Sequence, residues 1–187
     1  MADSFVPSPH VTRGGRREIE LVVVHTMEID ERADAAEACA RWFADRRARV
    51  SAHYCVDADS VVQCVREEDV AWGAPGANAN GIHVELAGRA AQTRREWDDA
   101  YSRAVLARSA ALVAEICERH RLPAVWLSAA ELRSRRRGIT GHAAVGEAFG
   151  RSDHWDPGPA FPASRFVALV RAAREGGAAA GVVAQPL

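Results

Sequence analysis

Apolar residues run unbroken from Leu21 to Val24, and the segment Glu18 to Val24 reads as a strand buried on both faces. His25 follows at once, at the strand's carboxyl end. Asp34 is placed to cap a helix running to about Arg47, with Ala35, Ala38 and Trp42 as its apolar stripe. Trp42 and Phe43 are both expected in the core. From Val50 to Val65 the residues alternate about an Asp57-Ala58-Asp59-Ser60 turn, the pattern of a β-hairpin. A long loop rich in Gly, Pro and Asn spans Val70 to Gly81, and Ile82 to Leu86 reads as the next strand.

A long helix is predicted from about Asp98 to His120. Tyr101, Val105, Leu112 and Ile116 share one face, and Arg108 interrupts it. Thr93-Arg94-Arg95-Glu96 is a capping-box pattern that starts this helix early. Ser128-Ala129-Ala130-Glu131 is another, opening a short helix through Arg133. Ile139-Thr140-Gly141 leads into His142, and a last helix covers about 163–174. The expected organisation is an irregular lead-in over 1–17, one domain over 18–175, and a disordered Gly/Ala-rich tail over 176–187.

Charge narrows the field. A net charge of −1 offers no basic field for nucleic acid. All 24 basic residues are Arg, so lysine is absent from every catalytic role. Arg133–Arg137, four of five Arg, reads as a solvated face. No stretch approaches the about 20 apolar residues of a membrane span. The first residues show no signal-peptide pattern, which leaves a cytoplasmic site or a non-classical or phage-lysis export route open. Cys39, Cys55, Cys64 and Cys117 form no CxxC pair and read as buried thiols.

The candidate chemistry lies in histidines and carboxylates. Gly141-His142 precedes His154-Trp155-Asp156-Pro157-Gly158-Pro159, a second imidazole and a carboxylate in a stiff turn. Zinc takes His and carboxylate ligands, and a catalytic site keeps three protein ligands with one position open. His25, His142 and Asp156 would supply such a set. His53 has two readings, a group at a metal site or a structural imidazole within a sheet, and the second is favoured. Glu85, among apolar residues, either faces solvent or is a carboxylate with raised pKa suited to a general base. Trp72 is either a groove residue or loop packing.

Taken together these segments resemble the type 2 family of zinc-dependent N-acetylmuramoyl-L-alanine amidases. That family includes phage lysins, the cytosolic anhydro-muropeptide amidase and peptidoglycan recognition proteins. The matching pieces are Val22–Glu28, Ser51–Asp57, Ala71-Trp72 through Asn78, Gly81–Gly88, Gly141-His142 and Asp156–Pro159, in that order. The His25-Thr26-Met27-Glu28 form and the Ala74–Asn78 loop look most like actinobacterial and actinophage members. The resemblance implies an α/β fold, a central mixed β-sheet flanked by helices, with zinc in a surface groove. It implies His25, His142 and Asp156 as zinc ligands, Glu85 as general base, and His154 as oxyanion donor where many relatives carry Lys. Trp72 and Asn78 would line the groove. Gly73 departs from the family, since many relatives have His after the Trp, and Ala52 stands where some phage members carry a catalytic Tyr.

The implied activity is hydrolysis of the amide joining the lactyl group of N-acetylmuramic acid to L-alanine of the stem peptide. The implied partner is peptidoglycan or a muropeptide, met by a monomer. The alternative is a recognition module that binds peptidoglycan without cutting it. A third reading makes the histidines core residues of a domain without catalytic metal. Presence of all three ligands and Glu85 favours the enzyme.

Overall fold

A computed structural model describes residues 2–15 and 18–182, with side chains through residue 176. The strands are β1 (Ser4–Phe5), β2 (Val11–Thr12), β3 (Leu21–Thr26), β4 (Tyr54–Val56), β5 (Val61–Gln63), β6 (Val70–Ala71), β7 (Gly81–Leu86) and β8 (Gly138–Gly141). The helices are α1 (Ala35–Ala44), α2 (Ala100–Arg119), α3 (Ala129–Arg133), α4 (His142–Phe149) and α5 (Ala163–Val182). Six strands form one mixed sheet in the order β1-β5-β4-β7-β3-β8, and β2 pairs with β6. Strands β4, β7, β3 and the edge strand β8 are parallel, whereas β5 runs antiparallel to β4. This is the expected α/β arrangement, a central mixed sheet with helices on both faces.

The pleat sorts the side chains. Val22, Val24, Ile82, Val84, Leu86 and Ile139 face α2 and α5 and form the main core with Leu106, Ile116 and Phe166. The opposite face is covered in two patches. Against α1, Cys55, Val62 and Cys64 pack with Ala36, Cys39, Ala40 and Phe43. Toward α3 and α4, Leu21 and Val23 pack with Leu127, Leu132 and Val145. Between the patches this face carries polar side chains.

Several expectations are corrected. The lead-in over 1–17 is not wholly irregular: β1 adds to the sheet edge beside β5, and β2 pairs with β6. The last helix runs past Arg174, through Val182; residues 183–187 of the expected tail lie outside the described residues. Asp34 precedes α1, but its side chain makes no cap and instead pairs with Arg32 and Arg41. The α1 amino terminus is capped from the hairpin turn, where Asp57 accepts from the Ala36 N–H at 2.9 Å. The buried stripe of α1 runs through Ala36, Cys39, Ala40 and Phe43, so Trp42 falls one position off it and is exposed. Thr93 and Glu96 do close on each other, but they open only a short 3-10 turn, and Asp99 caps α2. The Ser128–Glu131 capping box forms as expected. The half-buried Arg108 reaches a backbone carbonyl, that of Ala58, at 3.3 Å.

Candidate metal centre and groove

The site sits at the carboxyl ends of three neighbouring parallel strands, where ligands of α/β sheets gather. His25 is the penultimate residue of β3, Glu85 is its register partner on β7, and His142 follows β8 directly. Asp156 arrives from the turn after α4. That turn is held by close packing. A Cβ on Gly158 (φ 88°) would collide with the Ala90 carbonyl oxygen, and one on Gly141 would lie 2.6 Å from Pro157 Cδ. The Asp156 carbonyl also accepts from the Ala143 N–H at 2.9 Å, tying the turn to the start of α4.

His25, His142 and Asp156 are buried, and one ligand atom from each lies within 4.8 Å of the others. His25 Nδ1 is 3.0 Å from Asp156 Oδ2, and His142 Nδ1 is 3.2 Å from Asp156 Oδ1. The far nitrogens are also engaged: His25 Nε2 lies 3.0 Å from His83 Nδ1, and His142 Nε2 lies 3.0 Å from Ser152 Oγ. Metal-ligating histidines characteristically hold their second nitrogen in this way. Two imidazoles and a carboxylate converging from separate elements fit zinc, with room for a fourth ligand on the groove side.

Electrostatics separates the two carboxyls of the site. Burial would raise Asp156, but hydrogen bonds from His142 and His25 outweigh it and hold the carboxyl far below the usual range. Among the described residues, no such bond offsets burial at Glu85. Burial pushes it well above its ordinary value, and the neighbouring Cys39, Asp156 and Glu28 add to the effect. Burial likewise lowers His25, against the opposing pull of Asp156.

Above the cluster lies a groove of about 620 Å³, room for a substrate rather than for an ion alone. Trp72, Asn78 and Glu85 line it, together with Arg49, Trp42 and Trp155. Trp72 is partly exposed and its indole N–H donates to Thr12 Oγ at 2.9 Å, so it is both groove wall and packed side chain. Asn78 accepts from the Ala74 N–H at 2.7 Å, which shapes the loop. His154 stands at the rim with its side chain 67% exposed, stacked on His142 at 4.7 Å, and 3.6 Å from Asp156. His53 is buried just before β4, bonded through its backbone N–H to the His83 carbonyl, and is not among the residues of the cluster.

Sequence reasoning missed His83 and Ser152. The signal for His83 was parity: it lies two residues before Glu85 and so points to the same face as His25. Ser152 carried no such signal, since the loop after α4 has no period.

Three comparisons bear on this arrangement. The family described as N-acetylmuramoyl-L-alanine amidase (Amidase_2) matches residues 15–159. N-acetylmuramoyl-L-alanine amidase A of Achromobacter lyticus is 31% identical over 157 residues, covering 80% of this chain and 81% of that protein. Among solved structures, the Staphylococcus aureus hydrolase AmiA in complex with its ligand superposes with a TM-score of 0.65 at 20% identity, over 88% of this chain and 77% of that one. An AmpD derivative superposes with a TM-score of 0.57 at 25% identity, over 89% and 93%.

Proposed function

Since the chain belongs to the N-acetylmuramoyl-L-alanine amidase family and is a peptidoglycan amidase, we propose that His25, His142 and Asp156 hold its zinc and that Glu85 is its general base. The bond cut is the amide between the lactyl group of N-acetylmuramic acid and the L-alanine of the stem peptide. The observation that carries this reading is the convergence of the three ligand atoms beside Glu85, on one face of the sheet and at the groove floor.

Zinc, when bound, acidifies a water and polarises the scissile carbonyl. The residues do the rest. The two carboxyls are driven apart in basicity, which assigns their roles. Asp156 stays ionised and faces both ligand imidazoles. Glu85 is the stronger base, so it takes the proton of the attacking water and returns it to the leaving amine. His154, at the rim beside Asp156, donates to the carbonyl oxygen as it gains charge; one such donor is commonly worth roughly 3–4 kcal/mol. Trp72 offers an apolar face to the sugar and Asn78 an amide to the peptide.

The test is release of stem peptides from purified cell walls, read by mass spectrometry, alongside bound-metal analysis. Glu85→Gln is expected to keep zinc and lose cleavage, and His142→Ala to lose both. Full activity in Glu85→Gln, or undiminished cleavage by chelator-treated protein, would overturn the assignment.

A further inference from the structure

We propose that His83 is a positioning residue for His25, and that residue 73 is glycine because the His83 ring occupies the space a side chain there would need. The inference rests on the zinc reading above. His83 is fully buried on the inner strand β7, and its ring shares the sheet face of His25 and Glu85. Its Nδ1 lies 3.0 Å from His25 Nε2, with the two rings tilted by 42° at 5.3 Å. The other nitrogen of His25, Nδ1, points to Asp156, where the ligand atoms converge. A His25 that offers the Nδ1 lone pair to a metal carries its proton on Nε2 and donates it to His83 Nδ1. His83 thereby sets both the tautomer and the rotation of the ligand ring.

The His83 ring is itself pinned from two sides. On one side it stacks on His53, with centroids 5.7 Å apart and planes within 10°. His53 Nδ1 accepts from the His83 backbone N–H at 2.9 Å, and the His53 N–H donates to the His83 carbonyl at 3.0 Å. On the other side is Gly73. A Cβ there would lie 2.7 Å from His83 Nδ1 and 2.8 Å from Cγ, distances that real Cβ atoms essentially never show. Gly73 is not among the glycines at positive φ, so its backbone does not require glycine. What requires it is room for the ring, at the very nitrogen that faces His25. Position 73 and position 83 therefore act as a pair.

The experiment is zinc affinity, measured on the intact protein by competition with a chromophoric chelator. His83→Ala is expected to weaken binding roughly 10–100-fold. His83→Asn places an amide oxygen where Nδ1 was and is expected to restore most of that loss. Gly73→Ala, which leaves His83 in the chain, is expected to weaken binding on its own but to add nothing in a His83→Ala background. Thermal unfolding of each metal-free variant separates positioning from packing, and the imidazole nitrogen spectrum should show the His25 Nε2 proton protected in wild type and His83→Asn only. Should His83→Ala fail to fold, His83→Asn and Gly73→Ala still decide the matter. If His83→Ala or Gly73→Ala binds zinc like wild type while His142→Ala does not, the zinc site stands and the positioning role falls. If His83→Asn is as weak as His83→Ala, ring packing rather than the acceptor is responsible, and the role falls. If wild type itself binds no zinc, the metal reading falls first and takes this one with it.

Discussion

The two faces of the central sheet are built from the same strands and obey opposite rules. Toward α2 and α5, alternate residues are Val22, Val24, Ile82, Val84 and Leu86, and they form the main apolar core. On the other face the same strands present His25, His83 and Glu85, between apolar patches closed by α1 and by α3 with α4. The first face exists to remove surface from water. The second buries polar groups, and most of them are bonded to a neighbour: His25 to Asp156 and His83, His142 to Asp156 and Ser152. Glu85 stands apart: it is half-buried near other acids and its carboxyl is pushed well above its ordinary value, which suits the proposed role of base. A pleat of period two lets one strand serve stability with one parity and chemistry with the other.

The comparison breaks if the faces cannot be perturbed separately. Phe166, fully buried among the α2–α5 contacts and 5.6 Å from Phe161, belongs to the first face. Phe166→Ala should cost about 3–5 kcal/mol of stability, read by denaturant unfolding, while turnover per folded molecule stays near wild type. Glu85→Gln should do the reverse: turnover falls roughly 10²- to 10⁴-fold, and the metal-free protein becomes more stable. The sign follows from linkage. Because the folded-state pKa of Glu85 is raised, the carboxyl weakens the fold as pH climbs above its ordinary value toward the raised one. In Glu85→Gln that slope should disappear. Loss of turnover without a stability gain would show that Glu85 is better compensated than its surroundings indicate.

A half-buried acid with several hydrogen-bond partners sharpens the contrast. Glu67 accepts from Tyr54 Oη at 2.7 Å, from Arg119 at 2.6 Å, and lies 2.7 Å from His120 Nε2. Burial would raise its carboxyl, but bonds from Arg119, His120 and Tyr54 bring it down to about 2. A depressed acid stabilises the fold above its unfolded pKa and ceases to as pH falls through the folded one. The metal-free protein should therefore lose on the order of 2 kcal/mol from this group as pH drops from about 4.5 to about 2, and Glu67→Gln should flatten that part of the profile. Chemical denaturation across that range, with chelator present, measures it.

Much of this was legible in the chain, and what was not has physical causes. The inner strand at Leu21, the hairpin, the α2 stripe and the candidate cluster His25, His142 and Asp156 follow from runs, periods and motifs that are local. β1 and β2 are two residues each and exist only through pairing with β5 and β6, distant in sequence, so no local period announces them. The cap of α1 is similarly remote: Asp57 reaches it across 21 positions, whereas the local candidate Asp34 turns to two arginines. His83 reads in isolation as an imidazole in a strand; only the register of β7 against β3 shows that it faces His25. Local order writes itself into a sequence, while contacts made by tertiary packing do not.

The smallest expected effect separates two adjacent aromatics on α1. Trp42 and Phe43 look equivalent in sequence, yet Phe43 is 5% exposed and packs with Cys39 and Cys64, while Trp42 is 50% exposed and forms part of the groove wall. Phe43→Ala should cost about 3–5 kcal/mol. Trp42→Ala removes more atoms, but only about half of that residue is buried, and it should cost clearly less stability than Phe43→Ala. Its effect belongs instead to substrate: an exposed indole on the groove wall gives a sugar or peptide an apolar face, so Trp42→Ala should raise KM on cell walls and leave kcat close to wild type. Unfolding curves and wall-digestion kinetics on the pair decide it. A Trp42→Ala variant as unstable as Phe43→Ala would place the indole in the core after all. One with unchanged KM would leave substrate contacts to other lining residues such as Trp72 and Asn78.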